Sequence, residues 1–301
     1  MSVRLTLLSF LSRRTVRPLL ARARSPEANR KLLERAARRW FRAPPYALYR
    51  DSDAGSGGLW ISARPGSHPP RPGKLILYVH GGGFVSGSPW THAAMCARLA
   101  WLTGVEVFAP RYRLAPTDPF PAGRDDIRAA WEAVIAKGYR PGDVILAGDS
   151  AGANLIFGLL ADLCAEGACP AGVVALSPIA DFTFSGASIA DNAVTECMLP
   201  AERRDELVDW YLGKHDPADP HASPLFANYS APPPVLIQYA ENELLRDDGV
   251  RLAQVLRDAG GEVVVQTWPR APHVFQIFDG WVPEARDALT GVADFVKRCL
   301  A

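Results

Sequence analysis

The chain has no run that approaches the roughly 18 consecutive apolar residues of a membrane-crossing helix, so no spanning segment is expected. Leu5 to Leu11 are apolar in part, but Ser12-Arg13-Arg14 follows instead of a small-residue cleavage site, and no signal peptide is expected. The five cysteines form no C-x-x-C pair, and their number is odd. That excludes a disulfide framework and fits free thiols in a reducing, cytoplasmic compartment. The six histidines are scattered, with no His-x-x-x-His or H-E-x-x-H pair, so no metal site is expected. No G-x-G-x-x-G and no Gly-Lys-Ser/Thr is present, which disfavours dinucleotide and nucleoside-triphosphate binding; no cofactor is expected. A charge imbalance is missing too. The 33 basic and 32 acidic residues leave a net +1, which gives no overall pull toward nucleic acid.

What is present is an ordinary globular composition. Of 301 residues, 48% are hydrophobic, enough for a sizeable core in one large domain or two ordinary ones. The even charge hides one asymmetry. Residues 1–24 contain Arg4, Arg13, Arg14, Arg17, Arg22 and Arg24 and no acid.

Residues 1–42 read as a helical cap segment. Leu5, Leu8 and Leu11, then Val16, Leu19 and Leu20, recur at helical spacing with arginines between. Ser25-Pro26-Glu27 is a second helix start, with a capping serine, a proline at the first helical position and an acid in the first turn. Tyr46–Arg50 and Leu59–Ala63 read as two short antiparallel strands between turn-rich stretches. From Leu75 onward, apolar strands alternate with helices. The strands fall at 75–79, 105–109, 144–147 and 173–176, and the helices at 88–103, 123–137 and 151–165. Such alternation predicts an α/β fold, a mostly parallel, doubly wound sheet flanked by helices. Residues 181–232 break the pattern and read as a cap insertion with one amphipathic helix near 201–212. Alternation resumes with strands at 235–239 and 263–268 and helices at 247–259 and 284–300. The catalytic domain is therefore expected at 43–180 and 233–301.

Open parallel sheets bind ligands beyond the carboxyl ends of their strands. After 144–147 comes Gly148-Asp149-Ser150-Ala151-Gly152, the strand–turn–helix elbow of a nucleophilic serine. After 75–79 comes His80-Gly81-Gly82-Gly83-Phe84, where glycines let backbone N–H groups converge as an oxyanion hole. After 235–239 comes an acid cluster, Glu241, Glu243, Asp247 and Asp248. Glu243 lies in the turn past the strand, while Asp247 begins the next helix, where a capping role explains it. After 263–268 comes His273. The order Ser, acid, His is that of an α/β-hydrolase. His80 is expected to brace the glycine loop, His92 to open a helix, and His68, His215 and His221 to be structural or exposed.

These motifs, with Tyr112-Arg113-Leu114-Ala115-Pro116, Phe120-Pro121-Ala122, Ser177-Pro178 with Asp181, and Pro272-His273-Val274-Phe275, resemble the hormone-sensitive lipase-like family of α/β-hydrolases. The resemblance is to its bacterial esterases with a Gly-Asp-Ser-Ala-Gly elbow. It implies Ser150 as nucleophile, His273 as base, Glu243 as the orienting acid, and the N–H groups of Gly82, Gly83 and Ala151 as oxyanion donors. Most relatives carry Asp followed by Pro at the acid position, and an acidic residue where Thr117 stands. The expected activity is hydrolysis of short- to medium-chain acyl esters through an acyl-enzyme. Phe84, Met198 and Trp210, with Leu199 and Tyr211, are candidates to line the substrate pocket. A lactone or amide hydrolase with the same machinery, a non-catalytic ligand receptor, and a membrane-surface lipase whose Arg-rich N-terminal face touches anionic lipid are the alternatives. The expected partner is a small-molecule ester, without nucleic acid or stable membrane insertion, and relatives suggest a possible homodimer.

Overall fold

The computed structural model describes residues 1–22, 25–53, 55–66 and 68–301. Arg24 of the basic arm lies outside them. Among its described residues the arm forms the helices α1 (Val3–Arg14), α2 (Val16–Arg22) and α3 (Pro26–Trp40). Ser25 caps α3 by accepting from Ala28 N–H, with Pro26 in the first turn, as its sequence predicts. On α1 the leucine spacing is covered only in part: Leu8 packs partly against the cluster that buries Leu5. Leu5 and Ser12 are buried, whereas Leu11 and, on α2, Leu19 are exposed.

An antiparallel pair, β1 (Ala47–Ser52) and β2 (Gly58–Ala63), joins the sheet ahead of the alternating core. That core is β3 (Leu75–Val79), α4 (Pro89–Thr103), β4 (Glu106–Pro110), α5 (Ala122–Ala136), β5 (Val144–Asp149), α6 (Ala151–Ala165) and β6 (Gly172–Leu176). Two short helices, α7 (Ser188–Asp191) and α8 (Arg204–Tyr211), separate β6 from β7 (Val235–Ala240). The chain closes with α9 (Arg246–Asp258), β8 (Val263–Trp268) and α10 (Pro283–Cys299). Among the described residues the strands run β1-β2-β4-β3-β5-β6-β7-β8, antiparallel at the first two pairings and parallel thereafter.

The apolar runs of β3, β5, β6 and β7 are buried throughout, because helices cover both faces. Alternate residues serve opposite faces. Leu75, Leu77 and Val79 pack with Ile127 and Trp131 of α5, Ile156 of α6 and Leu252 of α9. Ile76 and Tyr78 pack with Met95 and Leu99 of α4 and Leu289 and Val292 of α10. Strand order decides where chemistry can occur. After β4 the chain returns past β3, so β5 sits between β3 and β6 and its carboxyl end opens at the centre of the sheet. Among the described residues no helix is long and apolar enough to cross a membrane, and all five cysteines are free.

Candidate active site

Ser150 stands at the tip of the turn between β5 and α6 with φ 50° and ψ −117°, a backbone conformation that L-residues rarely adopt. The flanking glycines make this turn sterically possible. A Cβ on Gly152 would stand 2.1 Å from the Val79 carbonyl oxygen, and one on Gly148 would stand 2.8 Å from the Gly152 carbonyl carbon. Both contacts are with backbone, which does not yield as a flexible side chain does. Gly152→Ala is therefore expected to cost about 3 kcal/mol of stability. Calorimetry would read this as a lowered Tm, with loss of any Ser150-dependent turnover.

The glycine loop after β3 is fastened from below by Asp149, the residue just before Ser150. Its buried carboxylate accepts from Tyr78 Oη at 2.8 Å, Gly81 N at 3.1 Å and His92 Nε2 at 3.2 Å. A Cβ on Gly81 would fall 2.2 Å from Asp149 Oδ2, so only glycine lets the loop sit on this carboxylate. Burial alone would raise the Asp149 pKa; the charge and hydrogen bond of His92, with the Tyr78 hydroxyl, hold it below its ordinary value. His80 is also buried, and burial pushes its pKa down to about 3. A neutral ring facing a carbonyl must donate, so His80 Nδ1–H donates to Gly81 O at 2.8 Å and braces the loop. The backbone turns at Gly82 (φ 124°) and Gly83 (φ 62°). The N–H groups of Gly82, Gly83 and Ala151 donate to no other group among the described residues. Ala151 is the first residue of α6, where a helix leaves its N–H groups unpaired.

Of the four carboxylates after β7, one reaches the histidine. Glu243 is fully buried, and its Oε2 lies 2.6 Å from His273 Nδ1. Its other oxygen accepts from Ala240 N at 2.6 Å and from Ser177 Oγ at 2.9 Å. Glu241 is exposed. Asp248 is buried and accepts from the Ala180 and Asp181 N–H groups. Asp247 does not cap its own helix, whose N-cap position is Leu245 with no side-chain bond. Its carboxylate instead accepts from Ser188 N at 2.9 Å, at the start of α7, and pairs with Arg246. The sequence showed the right helix but not the neighbouring segment that uses the acid.

His273 Nε2 is buried and has no hydrogen-bond partner among the described residues. Burial would lower the His273 pKa, but the Glu243 hydrogen bond and charge outweigh it and set the net direction upward. His273, Ser150, Gly82 and Gly83 all line one cavity of about 350 Å³. Phe84, Met198 and Trp210 line it as well, with Leu199. Tyr211 does not. It is packed in the core, stacked on Phe84 with ring centroids 3.8 Å apart. Thr117 is exposed and outside the lining, so the departure there does not reach the site. Among the described residues no group of three His, Cys, Asp or Glu side chains could hold a metal ion.

Three supporting residues carry no sequence signal that assigns their contacts. Ser177 links Glu243 to the histidine loop, because its hydroxyl donates to Glu243 and accepts from Val274 N–H at 3.3 Å. Buried Glu196 accepts from Met198 N at 2.7 Å and Leu244 N at 3.1 Å, tying the cavity wall to the acid loop. Arg30 of α3 donates to the carbonyls of Val85 (2.6 Å) and Ala115 (2.6 Å), and so latches the arm onto the end of the glycine loop.

Residues 76–277 match a protein family described as the alpha/beta hydrolase fold. An acetyl-hydrolase of Streptomyces hygroscopicus is 37% identical over 228 residues, covering 75% of this chain and 76% of that protein. An esterase of Acinetobacter venetianus is 33% identical over 273 residues, covering 90% of this chain and 88% of that one. The crystal structure of an esterase from the bacterial hormone-sensitive lipase family superposes with a TM-score of 0.92 at 32% identity, covering 100% of this chain and 99% of that chain.

Proposed function

Because this chain belongs to the hormone-sensitive lipase-like group of the alpha/beta hydrolase family and is an ester hydrolase, we propose that it works as a serine carboxylesterase on short- to medium-chain acyl esters. One observation carries the mechanism. The Glu243–His273 pair leaves a buried, unpaired Nε2 on a residue that shares its cavity with Ser150.

The carboxylate can only accept, so it holds the proton on Nδ1 and leaves the Nε2 lone pair free. Nε2 takes the Ser150 proton as Oγ attacks the ester carbonyl. The N–H groups of Gly82, Gly83 and Ala151 stabilise the oxyanion, each worth on the order of 3 kcal/mol of barrier. The imidazolium then returns its proton to the leaving alcohol. Water attacks the acyl-Ser150 ester by the same route and releases the acid. The apolar walls formed by Phe84, Met198, Leu199 and Trp210 suit a hydrocarbon acyl or alcohol group.

The base works only when neutral. The acid limb of kcat/KM is therefore expected to rise with pH through a midpoint above the ordinary imidazole value of 6.5. A pH–rate profile on a short p-nitrophenyl ester measures it, and a midpoint below that value would contradict the proposed pairing. Substrate class is tested on a panel of p-nitrophenyl esters of graded chain length, with lactones and amides included. Preference for long acyl chains, or for amides, would overturn the reading.

A further inference from the structure

The N-terminal arm has a surface that catalysis does not use. Residues 1–42 hold twelve Lys and Arg against two Asp and Glu, a net +10; the remaining residues hold 21 against 30, a net −9. One side of α1 is buried, with Leu5 at 0% and Ser12 at 2% exposure. There it packs on Phe275 and on Ala285 and Ala288 of α10, while Ser2 is fastened to Glu284. The other side carries Val3, Leu7, Phe10 and Leu11, spaced i, i+4, i+7 and i+8 and therefore on one stripe. They are 85%, 55%, 54% and 46% exposed. Arg4 and Arg13 flank the stripe, and Arg14 lies over the Phe10 ring at 5.1 Å. Arg4 and Arg13 beside the stripe, and Arg22 at the end of α2, which packs on α1, make no ion pair among the described residues. An exposed aromatic pair, Trp40 and Trp281, stands just ahead of α10 with Arg39 and Arg42 over its rings.

We infer that α1 and its surrounding arginines dock this enzyme on an anionic lipid surface. An apolar stripe rimmed by unpaired arginines matches hydrocarbon at the headgroup boundary and negative headgroups beside it. A second copy in symmetric contact would set arginine against arginine. A nucleic-acid backbone would supply phosphate but leave the stripe uncovered. The placement also bears on the substrate, on the premise that the enzyme is an esterase. Val16 and Leu20 of α2, which follows α1 after one residue, and Leu33 of α3 line the catalytic cavity. The docked face thus adjoins the cavity wall, so amphiphilic esters that partition into the lipid are delivered beside the cavity.

The test is flotation of the full chain with vesicles of phosphatidylcholine alone or with phosphatidylglycerol added. The chain is expected to float only with the anionic vesicles, and less at high salt. Leu7→Asp with Phe10→Asp, and separately Arg13→Glu with Arg14→Glu, are each expected to lower partitioning by about tenfold or more. All four side chains are exposed, so Tm and hydrolysis of a water-dissolved short ester without vesicles are expected to stay at parent values. That control separates failure of docking from failure of the esterase reading. Absence of flotation, or flotation equal in parent and both double variants, overturns the inference. So does a dimer by light scattering that Leu7→Asp abolishes, because the stripe then belongs to a second copy.

Discussion

Ser150→Ala is expected to remove hydrolysis of a short p-nitrophenyl ester almost completely, a fall in kcat on the order of 10⁵–10⁶. It is expected to leave Tm close to that of the parent. Both halves follow from the elbow. The Ser150 side chain makes no hydrogen bond among the described residues, so its removal breaks no bond that supports the fold. Alanine keeps the Cβ that already tolerates φ 50°. The turn thus holds a strained backbone, tied by Ser150 N–H to Leu176 O, while the side chain itself serves no hydrogen bond among the described residues, as expected of a residue kept for chemistry rather than packing. Initial rates, calorimetry and labelling by a serine-directed phosphonate form the complete test. Retained turnover, or label on another residue, would displace Ser150 as nucleophile.

Glu243→Gln carries the second largest expected effect, about 10³–10⁴ in kcat. Glu243 accepts three hydrogen bonds, from Ala240 N, Ser177 Oγ and His273 Nδ1. Glutamine has one carbonyl oxygen and one NH₂ group. The Ala240 N–H cannot turn away, so it keeps the oxygen, and the NH₂ is left facing His273. A donor there forces the imidazole proton onto Nε2, the nitrogen that must be free to take the Ser150 proton. Loss of the negative charge also removes what holds the His273 pKa up. The residual activity should therefore show an acid limb shifted to lower pH. Asp247→Asn is expected to change kcat/KM by only a few-fold, because Asp247 serves Ser188 N–H and Arg246. The reverse ranking would move the acid to Asp247.

The α/β architecture was legible because its signals are local. Apolar runs such as Leu75–Val79 and Val263–Trp268 are bounded by turn residues, and both appear as strands with the expected ends. The helix after Ser150 begins and ends where the sequence places it. Ser150 and the glycine run follow β5 and β3 directly, and His273 lies five residues past the end of β8, so the sequence could mark all of them as candidates at the edge where a sheet of this kind gathers its chemistry. The acid was narrowed by its position in a turn and chosen by resemblance. Neither could show the 2.6 Å contact with His273, because that contact depends on how β7 and β8 lie side by side.

The sequence by itself determined the alternating elements, the elbow and the order of the three polar residues, since these rest on neighbours in the chain. Only the tertiary structure decided which residues share a buried bond. Ser177 holds Glu243 from the turn after β6, Asp247 serves α7 rather than α9, and Arg30 reaches the glycine loop from the arm. The same holds for α1. Helical spacing marks its apolar residues, but only packing on α10 decides that Leu5 is covered while Leu7, Phe10 and Leu11 face outward. Periodicity gives the angle of a side chain around its own helix, and burial depends on what the rest of the chain places against it.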